Sequence, residues 1–165
     1  SQRSLAAMPA ATAAICALGT TMAKAGSEAA FRAADEHAVL GFAAAARAAG
    51  AHQFIVVTAV GADPGSRVFY SRVKGEVEQA LVLSGFGRLD IIRPGLIIGP
   101  RPERRTVEAM LQRLAPRLDP LLVGSLDRYG SIPAEAVAAA IAALAGRPEA
   151  GIFRHHNRDL RRLAG

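Results

Sequence analysis

A tyrosine and a lysine four residues apart, Tyr70 and Lys74, are the side chains of this sequence best suited to chemistry. On a helix this spacing places both side chains on one face. A phenol ionises only near pH 10, and a nearby cation favours the phenolate, which brings proton transfer closer to neutral pH. The pair therefore predicts a general acid or base. The alternative is a partly buried tyrosine beside a surface lysine. Because Lys24 is the one other lysine in the chain, a lysine at this spacing is less probable by chance.

Strands that alternate with helices are predicted to position this pair. The run 52–58 is β-branched and apolar at successive positions, which is typical of a strand buried on both faces of a parallel sheet. Strands are predicted at 13–18, 52–58, 89–93 and 151–154, and helices at 27–49, 68–83, 107–114, 133–144 and in the arginine-rich tail. Pro94-Gly95 breaks the third strand before an apolar stretch, 96–98. This alternation of strands and helices predicts an α/β fold, a parallel sheet with helices on both faces.

Candidate site residues fall at one edge of that predicted sheet. In parallel sheets, ligands bind beyond the carboxyl ends of the strands. Gly19 follows the first strand, the hydroxyl of Thr58 ends the second, and Pro94-Gly95 interrupts the third. Tyr70 lies near the start of the helix that follows Thr58, so these features predict a single site at this edge.

Composition narrows the class of protein. The 165 residues fit a single domain, 1–165, and the single cysteine, Cys16, excludes a disulfide framework and favours a reducing compartment. No apolar run approaches the roughly 20 residues of a membrane span. A soluble, cytoplasmic protein is therefore expected. The net charge of +6 comes from dispersed arginines, so a solvated basic face is favoured over nucleic-acid binding.

Two further groups of polar residues are interpreted as structural. His155 and His156 are adjacent, so on a strand they point to opposite faces, and a metal site is not expected. Asp35 and Glu36 lie in a predicted helix and are interpreted as residues of its solvent-exposed face.

Several short segments resemble a known family when they are taken together. They are 16–21 (CALGTT), 24–27 (KAGS), 61–63 (GAD), 69–78 (FYSRVKGEVE), 93–95 (RPG) and 131–133 (SIP). In sequence and spacing they resemble the atypical short-chain dehydrogenases/reductases, and within them the Tat-interacting oxidoreductase-like proteins.

The resemblance implies a Rossmann fold that binds NADP or NAD and transfers hydride between the nicotinamide and a carbonyl or alcohol. Tyr70 would protonate the carbonyl oxygen or act as the base in reverse. Lys74 would hold the nicotinamide ribose and lower the pKa of the tyrosine. Thr58 would orient the oxygen of a small-molecule substrate.

The resemblance also implies the residues that line the cofactor. Gly19 and Thr20 would do so at the end of their strand, and Pro94, Gly95 and Leu96 would border the nicotinamide. A second hypothesis keeps NADP binding without turnover: a sensor that presents a surface to a protein partner or to a second copy of the chain.

The sequence departs from the family pattern in two places. The family usually has a serine in the loop after the strand that ends at Thr58, where this chain has Ala59. A dinucleotide-binding domain also begins with a strand and a glycine-rich turn at a helix start, and 1–12 contains neither. The chain is therefore expected to form the carboxyl-terminal portion of the fold, without its first strands. Omission of an amino-terminal part from the sequence is favoured over a half-fold that completes itself with another chain.

Overall fold

The computed structural model describes residues 10–99 and 124–165. The predicted helix at 107–114 lies outside these residues. In the described part of the chain, no helix has both the length and the apolar character that crossing a membrane requires.

A four-stranded parallel sheet forms the centre of the fold, as the sequence predicts. Its strands stand in the order β1-β2-β3-β6, and each neighbouring pair is parallel. A second, two-stranded parallel sheet joins β4 to β5. The strands are β1 (Ala13–Cys16), β2 (Gln53–Val57), β3 (Arg88–Ile92), β4 (Leu96–Ile98), β5 (Ser131–Pro133) and β6 (Gly151–His155).

Helices separate these strands along the chain. They are α1 (Met22–Ala25), α2 (Glu28–Arg32), α3 (Ala38–Ala48), α4 (Phe69–Val82), α5 (Ala134–Leu144) and α6 (Asn157–Ala164), together with a 3₁₀ helix over Gly124–Tyr129. The short α1 occupies a segment that the sequence predicts as a loop. It is capped by Thr21, whose hydroxyl accepts a hydrogen bond from the Lys24 amide at 3.2 Å, and it ends at Gly26, whose φ of 78° suits glycine.

The predicted helix over 27–49 is divided by a π-helical turn, Ala33–His37, between α2 and α3. The Ala38 amide donates to the Ala33 carbonyl, five residues back instead of four. Such single turns contain one extra residue and often occur at functional sites. The turn therefore separates two helices where the sequence pattern indicates one.

Each face of the main sheet has its own apolar core. Phe54 and Val56 of β2 project to the face covered by α3 and α4, where they pack with Val39, Val77 and other buried side chains. Ile55 lies on the opposite face, in a cluster with residues of α5 and α6. β2 is therefore buried on both sides, which explains its continuous apolar run.

The second face also holds a buried polar group. Asp90 in β3 accepts two hydrogen bonds from the Arg88 guanidinium, at 2.6 and 2.9 Å, and one from Gln53 at 2.8 Å. His155 Nε2 lies 2.9 Å from the same carboxylate. Asp90 is fully buried, so its charge is balanced within the protein.

Candidate active site

One face of α4 carries the acid–base pair. Tyr70, Lys74 and Glu78 follow one another at intervals of four residues, which places them in a row along the helix. Lys74 and Glu78 are 5% and 3% exposed, and Tyr70 is partly buried. The row lies at the carboxyl edge of the sheet, because the segments after β1, β2 and β3 all contact it.

Lys74 forms a buried ion pair with Asp35, a residue of the π-helical turn. Asp35 is fully buried. The expectation that Asp35 lies on a solvent-exposed helix face is therefore wrong. An ammonium and a carboxylate that leave water together keep their charges only as a pair, so each residue fixes the other.

The segment after β1 lies against this ion pair. The Thr20 amide donates to the Asp35 carboxylate at 2.7 Å. A Cβ on Gly19 would be 3.3 Å from Asp35 Oδ1 and 3.5 Å from Lys74 Nζ, so the glycine lies directly against the buried pair. The structure thus brings together Gly19, Thr20 and Lys74.

Tyr70 packs between the ion pair and an aromatic side chain. The Lys74 ammonium lies 5.8 Å from the centre of the Tyr70 ring, and the ring of Phe31 is 5.5 Å from it, centre to centre. Burial raises the pKa of Tyr70, and the negative charge of Asp35 raises it further. The expectation of a lowered pKa for Tyr70 is therefore not met, because burial disfavours the phenolate and the Asp35 carboxylate adds to this effect.

Thr58 lies in a second polar group along the same helix. Its hydroxyl donates to Glu78 Oε1 at 2.6 Å, and it is 7% exposed. The Glu78 carboxylate also accepts hydrogen bonds from the Arg93 guanidinium, one of them 3.0 Å long. The hydroxyl predicted to orient a substrate oxygen is thus engaged with Glu78.

Pro94, Gly95 and Leu96 follow β3 and join its end to the smaller sheet. The Pro94 carbonyl accepts a hydrogen bond from the Val60 amide at 3.1 Å, in the loop after β2. The Gly95 amide donates to Asn157 Oδ1 at 2.9 Å, while Leu96 begins β4 and is 37% exposed. This segment lies at the same edge of the sheet, and it is anchored by contacts within the protein.

Sequence reasoning missed Asp35 and Glu78. A signal for Asp35 was present: it stands four residues after Phe31 and four before Val39, in line with an apolar stripe whose members are fully or almost fully buried. A carboxylate on such a stripe requires a partner. Glu78 could have been found by continuing the four-residue spacing from Tyr70 through Lys74.

No family model matches this chain. Curated relatives include the mitochondrial protein FMP52 of Coccidioides immitis, 42% identical over 94 residues that make up 57% of this chain and 38% of the relative. The mitochondrial protein fmp52 of Emericella nidulans is 39% identical over 141 residues, 83% of this chain and 60% of the relative. The chain thus spans roughly two fifths to three fifths of these relatives.

The names of these relatives correct one expectation. Both proteins, and the fmp52 protein of Aspergillus niger, are named as mitochondrial. The expectation of a cytoplasmic protein is therefore wrong.

Among solved structures, the chain is similar to the Bordetella bronchiseptica enzyme WbmG in complex with NAD, with a TM-score of 0.59 and 15% sequence identity. The match covers 88% of this chain and 50% of WbmG. The same enzyme in complex with NAD and UDP gives a TM-score of 0.58. At this identity the likeness concerns the fold alone, and it establishes that the described residues have a Rossmann-like α/β fold.

Proposed function

We propose that this chain forms the acid–base part of an NAD(P)-dependent oxidoreductase of the short-chain dehydrogenase/reductase type. In this proposal, residues 1–165 form a single NAD(P)-binding Rossmann-like domain that corresponds to the carboxyl-terminal portion of the fold. The reaction converts a carbonyl to an alcohol or the reverse. The finer resemblance to the Tat-interacting oxidoreductase-like proteins is part of the same proposal. The mitochondrial names of the curated relatives support a mitochondrial setting for it.

The observation that supports this proposal most directly is the position of Tyr70 and Lys74. They lie on one face of α4, at the carboxyl edge of a parallel sheet, next to the segment that follows β1. Ligands of such sheets bind at this edge. A phenol and an ammonium placed there can serve a reaction that moves a proton to or from an oxygen.

The residues present fit the ribose and nicotinamide end of a dinucleotide. Gly19 carries no side chain and lies beside Lys74, where a Cβ would be 3.5 Å from the ammonium. An ammonium has three donors, one of which the carboxylate of Asp35 takes, so others remain for sugar hydroxyls. Gly19, Thr20 and Lys74 would then hold the sugar, with Pro94, Gly95 and Leu96 bordering the nicotinamide.

In the proposed reaction, a bound nicotinamide supplies or accepts the hydride. Tyr70 donates its phenolic proton to the carbonyl oxygen of the substrate, and in the reverse direction its phenolate accepts the proton of the alcohol. The raised pKa of Tyr70 keeps the phenol protonated at neutral pH, as the acid requires, but it also makes this proton harder to donate than that of an ordinary tyrosine. Lys74 would hold the ribose next to the nicotinamide and so fix the position of the nicotinamide relative to Tyr70.

A second candidate function is NADP binding without turnover, coupled to a protein partner or to a second copy of the chain. Two observations favour it. The hydroxyl of Thr58 is engaged with Glu78, and Ala59 supplies no hydroxyl in the next position. The proton donor Tyr70 is thus present, whereas the hydroxyl that would polarise a substrate carbonyl is engaged elsewhere.

Binding and turnover distinguish these functions. Protein expressed from the complete coding sequence is titrated with NADPH and NADH, and a panel of aldehydes and ketones is screened for oxidation of the nucleotide. The oxidoreductase proposal expects binding by both the wild type and Tyr70→Phe, with turnover only in the wild type. Binding without turnover of any carbonyl favours the sensor, and absence of binding to either nucleotide contradicts both.

A further inference from the structure

Asp35 is a buried carboxylate at the candidate site to which the proposed reaction assigns no part. It is fully buried, and it connects two elements that are distant in sequence. One oxygen pairs with Lys74 of α4 and the other accepts the Thr20 amide, 15 residues earlier in the chain. The backbone that supplies this carboxylate is the π-helical turn, Ala33–His37.

The chain beside Asp35 offers a contrast. Glu36, the next residue of the same turn, pairs with Arg32 at 2.5 Å, and both side chains are partly exposed, at 22% and 32%. An ion pair of that kind contributes little to stability. Burying Asp35 costs much more, so its pairing with Lys74 must be maintained for the local structure to persist.

We propose that Asp35 is a positioning residue of this site, whose carboxylate fixes the Lys74 ammonium beside Gly19 and ties the segment after β1 to α4. The inference rests on the proposed function for its effect on cofactor binding, whereas the position of Lys74 can be measured without any cofactor. Asp35 acts through Lys74 and the Thr20 amide, and it contacts neither substrate nor cofactor.

The proposal has an electrostatic consequence at Tyr70. The charge of Asp35 disfavours the phenolate, and the charge of Lys74 favours it. Because Tyr70 is buried and Asp35 lies close to it, the phenol keeps its proton to higher pH than an exposed tyrosine does. Replacing Asp35 by a neutral residue leaves the ammonium unbalanced, so Tyr70 should lose its proton at lower pH than in the wild type.

Two cofactor-free measurements test the proposal on Asp35→Asn, with Glu36→Gln as the matched control from the same turn. The first is acetylation of the folded protein followed by mass spectrometry, in which Lys74 should be protected in the wild type and modified several-fold faster in Asp35→Asn. The exposed Lys24 is the internal reference. The second is ultraviolet titration in a Tyr129→Phe background, which leaves Tyr70 as the single tyrosine. Its midpoint should fall in Asp35→Asn and stay unchanged in Glu36→Gln.

A thermodynamic cycle then separates positioning from general destabilisation. NADPH affinity is measured for Asp35→Asn, Lys74→Met and the double variant. Asp35→Asn should weaken binding by about tenfold, equivalent to ~1.4 kcal/mol, and should add nothing further when Lys74 is already replaced. Equal losses in both backgrounds overturn the proposal.

The cofactor-free results decide the inference even if the proposed function fails. If the wild type binds no nicotinamide nucleotide, the proposed function is wrong. The acetylation rate of Lys74 and the titration midpoint of Tyr70 still test the positioning role of Asp35. Unchanged protection and an unchanged midpoint in folded Asp35→Asn overturn the inference. If Asp35→Asn does not fold, Asp35→Glu replaces it. Slow acetylation of Lys74 and a high titration midpoint of Tyr70 in this variant support the role of the carboxylate charge, and loss of both contradicts it.

Discussion

Gly75 of α4 lies directly against the backbone of Pro64, so that a Cβ on Gly75 would be 2.2 Å from the Pro64 nitrogen. Asp63 is equally close, with its carbonyl carbon 2.3 Å from that Cβ position. The glycine therefore lets the loop after β2 approach α4 in the turn that also carries Lys74. This contact aligns the end of β2 with the helix of the acid–base pair.

Gly75→Ala should destabilise the protein by several kcal/mol, because backbone atoms must shift to admit the methyl group. Gly41→Ala is a control of the same kind, since Gly41 also lies inside a helix and has no atom within 4 Å of its Cβ position. It should stabilise the protein by about 0.5–1 kcal/mol through helix propensity. Urea denaturation of both variants measures the two opposite effects, and a stabilised Gly75→Ala would contradict the packing described.

The raised pKa of Tyr70 predicts a loss of stability at alkaline pH. The folded protein retains the phenolic proton at pH values where the unfolded chain, with a tyrosine pKa near 10, has lost it. The free energy of unfolding should therefore fall as pH rises from about 10 through the folded-state pKa. Denaturation midpoints of wild type and Tyr70→Phe from pH 8 upward measure this component.

Tyr129→Phe is the control for this experiment, because Tyr129 is 50% exposed and lies far along the chain in the 3₁₀ helix. The raised pKa of buried Cys16 adds an alkaline slope of its own, which is common to both variants and cancels in their difference. A Tyr70→Phe variant with the same alkaline slope as the wild type would be inconsistent with a protonated, buried Tyr70.

Asp90→Asn should cost about 3–5 kcal/mol, because it removes the buried charged partner of the Arg88 guanidinium and leaves only the exposed carboxylate of Glu149 to balance it. Burial raises the pKa of Asp90, but hydrogen bonds from His155, Arg88 and Gln53 outweigh it, and the pKa lies below its usual 3.8. The stability from this carboxylate is therefore present above pH 3.8 and is lost as pH falls through the lowered value.

Urea denaturation at neutral pH tests the Asp90 prediction. Glu149→Gln is the matched control: Glu149 also pairs with Arg88, at 3.0 Å, but its side chain is 63% exposed. It should change stability by less than about 1 kcal/mol. Equal effects of the two substitutions would show that burial of the pair does not determine its contribution.

Asn157→Ala should destabilise the protein by about 1–3 kcal/mol, because the half-buried Gly95 amide loses its partner and the Gly130 carbonyl keeps only the Leu96 amide. Asn157 is fully buried, accepts from the Gly95 amide at 2.9 Å and donates to the Gly130 carbonyl at 2.9 Å. It thus joins the segment after β3 to the start of β5. The exposed neighbour Arg158, replaced by alanine, is the control and should have little effect in thermal denaturation.

The elements with strong local patterns were predictable from the sequence. β2 and α4 occur within a residue of their predicted bounds, because their apolar patterns define them locally. The predicted break at Pro94-Gly95 separates β3 from β4. The common edge of Gly19, Thr58 and Tyr70 followed from the parallel order of the strands.

The partners of the site residues were not predictable in the same way. The ion pair of Lys74 with Asp35 joins residues 39 positions apart, and the bond of Thr58 to Glu78 joins residues 20 apart. Local pattern contains no information on such distances. The rise in the pKa of Tyr70 was missed for the same reason, since it comes first from burial and then from the Asp35 carboxylate, and both depend on contacts between distant segments.

The π-helical turn also constrains the length of the chain. A regular α-helix advances about 100° per residue. Deleting one residue from Ala33–His37 would restore regular winding and keep Phe31 and Val39 on one face. It would also remove the widened turn from which the Asp35 carboxylate reaches Lys74 and the Thr20 amide. The turn should tolerate replacement of its alanines by other small residues better than insertion or deletion of a residue. Between Phe31 and Val39, the protein is therefore more sensitive to insertion and deletion than to substitution.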